Sequence, residues 1–213
     1  MRGPPGGRPL LVIQPLFEEM NRCRRLLAQV TGALAERGIR SWIPDLPGTG
    51  DAERVADWDE WISTTLRVHA NLGSQHSNNV AILAIRGGCL LTPTTIARYL
   101  LSPTSGASLL RDLLRSRAAA DREAGLTTRL DSLSADLASG TTLDLAGYAM
   151  TSSLASALEA AAIDTSGAHV ATVGDGGFPG PLVWRQGEPE DTTELAALIA
   201  ADVSAWMASC ASR

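Results

Sequence analysis

Short apolar runs alternate with stretches of helical periodicity along the first half of the chain. Three apolar runs are typical of buried strands: RPLLVIQP (8–15), the start of IRSWIPDLPGTGD (39–51) and NNVAILAIRGG (78–88). Between them, apolar side chains recur every three or four residues over 19–37 and 58–72, which predicts amphipathic helices. Strands and helices that alternate in this way predict an α/β fold, a mainly parallel sheet flanked by helices.

CLLTPTTIARYLL (89–101), despite its Pro93, is predicted to be a helix that continues this alternation after the third strand. The pattern changes after residue 102. The helix predicted over 108–125 is followed by a polar, less periodic stretch, so residues 103–150 are interpreted as a small helical insertion or lid within a single domain, 1–213. Further elements are predicted as a short strand at 142–150, a helix at 152–162, strands at 168–177 and 182–186, and a helix at 192–209.

Composition and charge argue against several classes of binding partner and location. The chain has 213 residues and a net charge of -5, which argues against general nucleic-acid binding because that requires a basic face. No apolar run reaches the roughly 18 residues of a membrane-spanning helix, and MRGPPGGRP lacks the apolar region of a signal peptide. The three cysteines are scattered without CxxC spacing, which is typical of reduced thiols. We therefore expect a cytoplasmic protein without a membrane span, and no residue pattern predicts a metal site or a cofactor.

The end of the third predicted strand has the layout of a nucleophile elbow, the strand–turn–helix that presents the serine of many hydrolases. The hydrolase pattern is GxSxG, and its alignment on residues 84–88 (AIRGG) puts Arg86 at the position of the serine. A guanidinium stays protonated at physiological pH and cannot attack a carbonyl carbon. Asp175 stands where the acid of a triad is expected, but no histidine follows the late strands, where a triad needs one. The chain has three histidines: His69, His76 and His169. An ordinary Ser–His–Asp mechanism is therefore predicted to be absent.

Several stretches of the chain resemble one known family. In chain order, these stretches are PLFEEMNRCRR, DLPGTGD, the elbow with its arginine, LLRDLLRSRAA and LDLAGYAM. Together they resemble the exosortase-A-system-associated hydrolases, in particular the second α/β-hydrolase-like type of that system, from about Leu10 to Leu198. The resemblance implies an α/β-hydrolase fold and a genomic link to exosortase sorting and exopolysaccharide production, without an established substrate. The late loop GDGGFPGPLVW departs from the more aromatic loop of the family.

The resemblance also implies roles for residues at the ends of the first and third strands. In an α/β-hydrolase the loop after the first of these strands supplies one N–H of the oxyanion hole, and the residue after the nucleophile supplies the other. Leu16 or Phe17, together with Gly87, occupy those places here. Glu18 and Glu19 are then expected near the elbow arginine across the carboxyl edge of the sheet.

Three interpretations of this cluster are open. In the first, Arg86 and a glutamate form a structural ion pair. In the second, the cluster binds a small anionic ligand, a carboxylate or a phosphate, through arginines and the N–H groups at a helix start. The residues for that pocket are Arg24, Arg25, Arg86, Gly87 and Gly88. In the third, Glu18 or Glu19 acts as a general acid or base on water while Arg86 stabilises the developing oxyanion.

The sequence thus predicts an α/β-hydrolase-like protein of the exosortase and exopolysaccharide system with an altered anion-binding or weakly hydrolytic site. The alternative is a pseudoenzyme, a catalytically inactive homologue that acts as a binding or scaffold protein for partners of the same pathway. Cys89, in the first turn after the elbow, is interpreted as packing rather than as a displaced nucleophile. Asp45 and Asp51 are interpreted as turn residues rather than as metal ligands.

Overall fold

The computed structural model describes residues 1–49, 55–76, 79–187 and 191–210. The chain divides into two compact units. The first comprises Met1–Pro44, Thr65–Pro103 and Asp164–Arg213, and the second comprises Asp45–Thr64 and Thr104–Ile163. Residues 104–150 of the predicted insertion belong to the second unit, while the organisation of 1–213 as a single domain stays a prediction.

A parallel sheet of five strands, counted within the described residues, forms the centre of the first unit and confirms the predicted α/β fold. Its strands are β1 (Arg8–Ile13), β2 (Ile39–Trp42), β3 (Ala81–Ile85), β4 (Arg98–Leu101) and, after the hairpin of β5 (Leu143–Leu145) and β6 (Tyr148–Met150), β7 (His169–Ala171). The order in the sheet is β2-β1-β3-β4-β7, and all four neighbouring pairs are parallel. Doubly wound sheets have this order, and they bind ligands outside the carboxyl ends of their strands.

The described helices alternate with these strands, and some flank the sheet. They are α1 (Glu18–Arg22), α2 (Arg24–Glu36), α3 (Trp58–Gln75), α4 (Gly106–Glu123), α5 (Leu130–Ala138), α6 (Ser152–Ala160) and α7 (Thr193–Cys210), with 3-10 helices at Arg86–Leu91 and Val183–Arg185. In the described part of the chain, none of the helices combines the length and apolarity needed to cross a bilayer.

The core of the first unit explains why its strands are almost entirely apolar. Every residue of β3 and β4 is buried, as parallel strands covered on both faces must be. On one face of the sheet, side chains that alternate along the strands pack against α2 and α7 in one cluster. Its members include Leu10, Val12, Leu83, Ile85, Leu101, Val30, Leu34, Ile199 and Val203. Residue Gly38, with a φ of 74°, ends α2 in the left-handed conformation that glycine adopts most easily.

The second unit contains α4, α5, the β5–β6 hairpin and α6. Helix α4 begins at a serine cap, where the Ser105 side chain accepts a hydrogen bond from the N–H of Ser108. The backbone of α6 passes so close to this helix start that a Cβ on Gly106 would lie 1.8 Å from the Leu158 carbonyl oxygen. Near the end of α4, Asp121 accepts hydrogen bonds from Arg117 and Thr128.

Three predicted elements are wrong. The single strand predicted at 142–150 is instead the antiparallel hairpin of β5 and β6, because Ala146 and Gly147 turn the chain with positive φ values. The helix predicted over 89–101 is instead the 3-10 helix Arg86–Leu91, a turn and strand β4. Pro93 removes a backbone donor, the residue before it is held extended, and the following β-branched residues disfavour a helix. The strand predicted at 182–186 is the 3-10 helix Val183–Arg185, preceded by Pro181. Helix α5 was not predicted, because its polar residues hide a short apolar face of Leu133 and Leu137.

Candidate functional site

The backbone is strained at the carboxyl ends of three adjacent strands of the first unit. Phe17 in the loop after β1, Arg86 directly after β3 and Ser102 directly after β4 have φ values of 57°, 54° and 46°. Residues other than glycine rarely adopt this left-handed region, and each such residue costs on the order of 1–3 kcal/mol. Strain that recurs at one edge of a sheet is typical of a functional site or of its remnant.

The turn after β3 has the strand–turn–helix layout predicted for the elbow. Ile85 is still extended, Arg86 is left-handed, and the 3-10 helix starts at once. A Cβ on Gly88 would lie 2.4 Å from the Gln14 carbonyl oxygen and 2.7 Å from that of Ile13. Only glycine fits at that position, because the helix passes directly against the end of β1.

Arg86 forms a bidentate ion pair with Glu19 in this turn. Its Nε donates to Glu19 Oε1 at 3.2 Å and to Oε2 at 3.1 Å, and its Nη2 donates to Oε1 at 2.8 Å. The Nη1 donates to the Ser102 carbonyl oxygen at 3.1 Å, and the Arg86 Cζ lies 4.6 Å from the centre of the Trp184 ring. The two side chains are only 13% and 14% exposed. The guanidinium is therefore engaged along its edge and on one face.

Glu18 forms a different pair. It accepts a hydrogen bond from Arg22 one helical turn later, and these two side chains are 37% and 34% exposed. Arg22 also donates to the Trp184 carbonyl oxygen at 3.0 Å. Trp184 is thus held on both sides, by Arg86 against its ring and by Arg22 at its backbone.

Two cysteines lie close to the pair and are protonated at physiological pH. Burial raises the pKa of the Cys23 thiol to about 12, and the charge of Glu19 adds to this effect, while Arg86 and Arg22 oppose it. Burial likewise raises the pKa of Cys89 to about 12. Because the thiolate is the reactive form, neither cysteine is activated as a nucleophile. The Cys89 thiol donates to the Ala84 carbonyl oxygen at 3.3 Å, which fits the packing role predicted for it.

The other predicted site residues lie in different surroundings. Leu16, Phe17, Gly87 and Gly88 are buried around the strand ends, where side chains and backbone pack closely. Asp175 is exposed in the loop after β7, and the described residues include no hydrogen-bond or ion-pair partner for its side chain. Asp45 begins the second unit, and Asp51 lies outside the described residues. Among the described residues, no three side chains of the metal-binding types cluster as a metal site.

The three histidines make contacts away from Arg86. A ring nitrogen of His69 lies 2.9 Å from the Val80 carbonyl oxygen, just before β3, so His69 is at the amino edge of the sheet. His169 is the first residue of β7 and lies 3.1 Å from Asp202, at the same edge. The ring of His76 lies 5.1 Å from that of Trp42.

Arg24 and Arg25 line a cavity beside α1 and α2. Its volume is about 590 Å³. The described residues around it are Asn21, Arg22, Arg24, Arg25, Leu26, Ala28, Val183, Gln186, Gly187 and Thr192. Arg24 donates to Asn21 at 3.3 Å, and Arg25 lies 3.5 Å from Asp191 in an exposed pair. Within the described part of the chain, Arg24 and Arg25 therefore have only weak partners, whereas Arg22 pairs with Glu18.

Sequence reasoning missed two residues that contact Arg86. Trp184 lies within the stretch 182–186 predicted as a strand, and Ser102 directly follows the stretch 89–101 predicted as a helix, so neither was placed near the elbow. A tryptophan in an irregular loop rich in glycine and proline was the available signal for the first. Ser102 carried no signal of its own, since its backbone carbonyl makes the contact with Arg86 while its hydroxyl accepts from the Val173 N–H. No family model matches this chain, and no curated protein matches it either.

Proposed function

We propose that this protein is an α/β-hydrolase-like binding protein that has lost hydrolysis and takes an anionic ligand in the arginine-lined cavity. The bidentate Glu19–Arg86 pair at the strained elbow carries the proposal. A charged pair occupies the position where a hydrolase presents its nucleophile, and the strained backbone of that position is kept.

The contacts of the elbow argue against each form of catalysis that the sequence left open. The Arg86 guanidinium is not a nucleophile, and no histidine contact reaches it in the described residues. The Glu19 carboxylate accepts hydrogen bonds from two N–H groups of Arg86. These bonds stabilise its ionised form and make it a weaker base. Glu18 is tied to Arg22 in a half-exposed pair. Of the three interpretations, the structural ion pair agrees best with these distances.

The same contacts argue that an anionic ligand binds in the cavity rather than at the elbow. A pair that is already bidentate offers little to a second carboxylate or phosphate. At the cavity, by contrast, the described residues include three lining arginines and two carboxylate partners for them, Glu18 and Asp191, in a protein whose net charge is -5. An excess of positive charge at one cavity favours an anionic ligand there. The link to exosortase and exopolysaccharide production rests on the sequence resemblance and is part of the proposal.

Thermal unfolding with a simple anion tests the proposal. We expect the melting temperature in sodium methyl phosphate to exceed that in sodium chloride of equal ionic strength, because a ligand that binds only the folded state stabilises it. The difference should disappear in Arg24→Gln/Arg25→Gln. It should persist in Arg37→Gln/Arg115→Gln, which removes the same charge from exposed arginines outside the cavity. A difference that survives the first double variant, or is absent in the native protein, would contradict the anion site.

A further inference from the structure

The geometry of the cavity points to an acid with an apolar body, such as an alkyl phosphate, rather than to a small inorganic anion. This inference rests on the proposed function and specifies the class of its ligand. Arginines and apolar residues line the same cavity, and each group would contact a different part of such a molecule.

The charged residues of the cavity are arginines from the last turn of α1 and the first turn of α2. Arg24 and Arg25 are exposed residues whose neighbours, Asn21 and Asp191, lie 3.3 and 3.5 Å away. A phosphate or carboxylate that approaches them exchanges weak, solvent-screened contacts for charge-assisted hydrogen bonds. Arginine is suited to this exchange because its planar fork binds two oxygens of such a head group at once.

The remaining surface of the cavity is apolar or neutral. Leu26 and Ala28 from α2 line it together with Val183 of the 3-10 helix, Gln186 and Thr192. The methylene stems of the arginines add to this surface, as long basic side chains do when their charged heads point to water. An inorganic anion would leave all of it in contact with water, whereas an alkyl chain would cover it.

The volume of the cavity fits a molecule of moderate size. Small-molecule sites have volumes of about 300–1,000 Å³, and this cavity has about 590 Å³. At roughly 30 Å³ for each non-hydrogen atom, the share of one water molecule in the liquid, it accommodates up to about twenty such atoms. A phosphate alone fills only a fraction of that space, and decyl phosphate fills most of it.

Titration calorimetry with four probes below their micellar concentrations tests the inference. The probes are decyl phosphate, methyl phosphate, decanol and decyltrimethylammonium. We expect decyl phosphate to bind at least tenfold more tightly than methyl phosphate, and the other two to bind at least tenfold more weakly than decyl phosphate. In Arg24→Gln/Arg25→Gln, decyl phosphate affinity should fall at least tenfold, while Arg37→Gln/Arg115→Gln should change it less than twofold.

A second variant separates the chain from the head group. Ala28 is an exposed helical residue at the cavity, so Ala28→Phe fills part of the apolar space without disturbing the core. We expect it to reduce decyl phosphate affinity to that of methyl phosphate and to leave methyl phosphate unchanged. Equal affinity of the two phosphates in the native protein would overturn the inference and retain the anion site. Failure of both to bind, or equally tight binding of decanol, would overturn the anion site as well.

Discussion

At the carboxyl edge of the sheet, the Arg86 side chain connects Glu19 of α1 to the Ser102 carbonyl oxygen after β4. In Arg86→Met, the Glu19 carboxylate, 14% exposed, loses its bidentate partner. We expect the free energy of unfolding to fall by about 2–3 kcal/mol, somewhat less than the 3–5 kcal/mol typical of a fully buried pair broken on one side. Urea unfolding followed by circular dichroism measures the change.

Two comparisons make this result specific to the pair. Glu18→Gln breaks the more exposed pair with Arg22, and we expect a loss below about 1 kcal/mol. Glu19→Gln/Arg86→Met removes both charges and should recover part of the stability lost in Arg86→Met. If Arg86→Met costs no more than Glu18→Gln, the elbow pair does not stabilise the fold.

The cysteines provide a second prediction at the scale of single residues. With pKa values raised to about 12, Cys23 and Cys89 carry almost no thiolate at pH 8, whereas Cys210 near the end of α7 is partly exposed. We expect iodoacetamide to label only Cys210 rapidly in the folded protein, and all three thiols in urea. Mass spectrometry of the labelled protein identifies the sites. Rapid labelling of Cys89 in folded Cys210→Ser would show that this thiol is reactive after all.

At the scale of elements, apolar periodicity predicted the strands and helices that bury one face. It failed where proline and β-branched residues determine the backbone conformation. The strands and helices of the first half follow from apolar spacing because one buried face imposes it. The segment after the elbow was predicted as one helix, since Leu90, Leu91, Tyr99 and Leu100 all count as apolar. Pro93 and the β-branched residues after it divide that segment into a 3-10 helix and a strand.

The contact between the elbow helix and β1 depends on one glycine. In Gly88→Ala the new Cβ would meet two backbone carbonyl oxygens, at 2.4 and 2.7 Å, and backbone cannot move as a flexible side chain can. We expect a loss of about 1–3 kcal/mol in urea unfolding, as for other overpacked sites. Gly187→Ala is the control, since its Cβ would meet none of the described residues within 4 Å and its φ is not left-handed. Equal stability of the two variants would mean that the elbow can shift away from β1.

At the scale of the whole molecule, topology made part of the site predictable. Carboxyl ends of parallel strands meet at one edge, so residues after the first and third strands could be expected together, and Glu19 and Arg86 are indeed paired. Which glutamate takes that role depends on the direction of a five-residue helix, which apolar spacing does not specify. Trp184 lies in a 3-10 helix more than 90 residues beyond Arg86 in the chain, and no apolar periodicity predicts its contact with Arg86.

The positions of the histidines lead to the last prediction, which concerns activity. His69 and His169 lie at the amino edge of the sheet, opposite the elbow, and the contact found for His76 is with Trp42. We expect no hydrolysis of p-nitrophenyl esters above background by the native protein or by Arg86→Ser. Removal of the base from a triad enzyme lowers its rate about 10⁶-fold, and a serine at position 86 has no base. Stopped spectrophotometric assays over a range of protein concentrations measure this, with circular dichroism to establish that Arg86→Ser is folded. Saturable turnover proportional to protein concentration in either form would show that another group acts as the base and would contradict the proposed absence of hydrolysis.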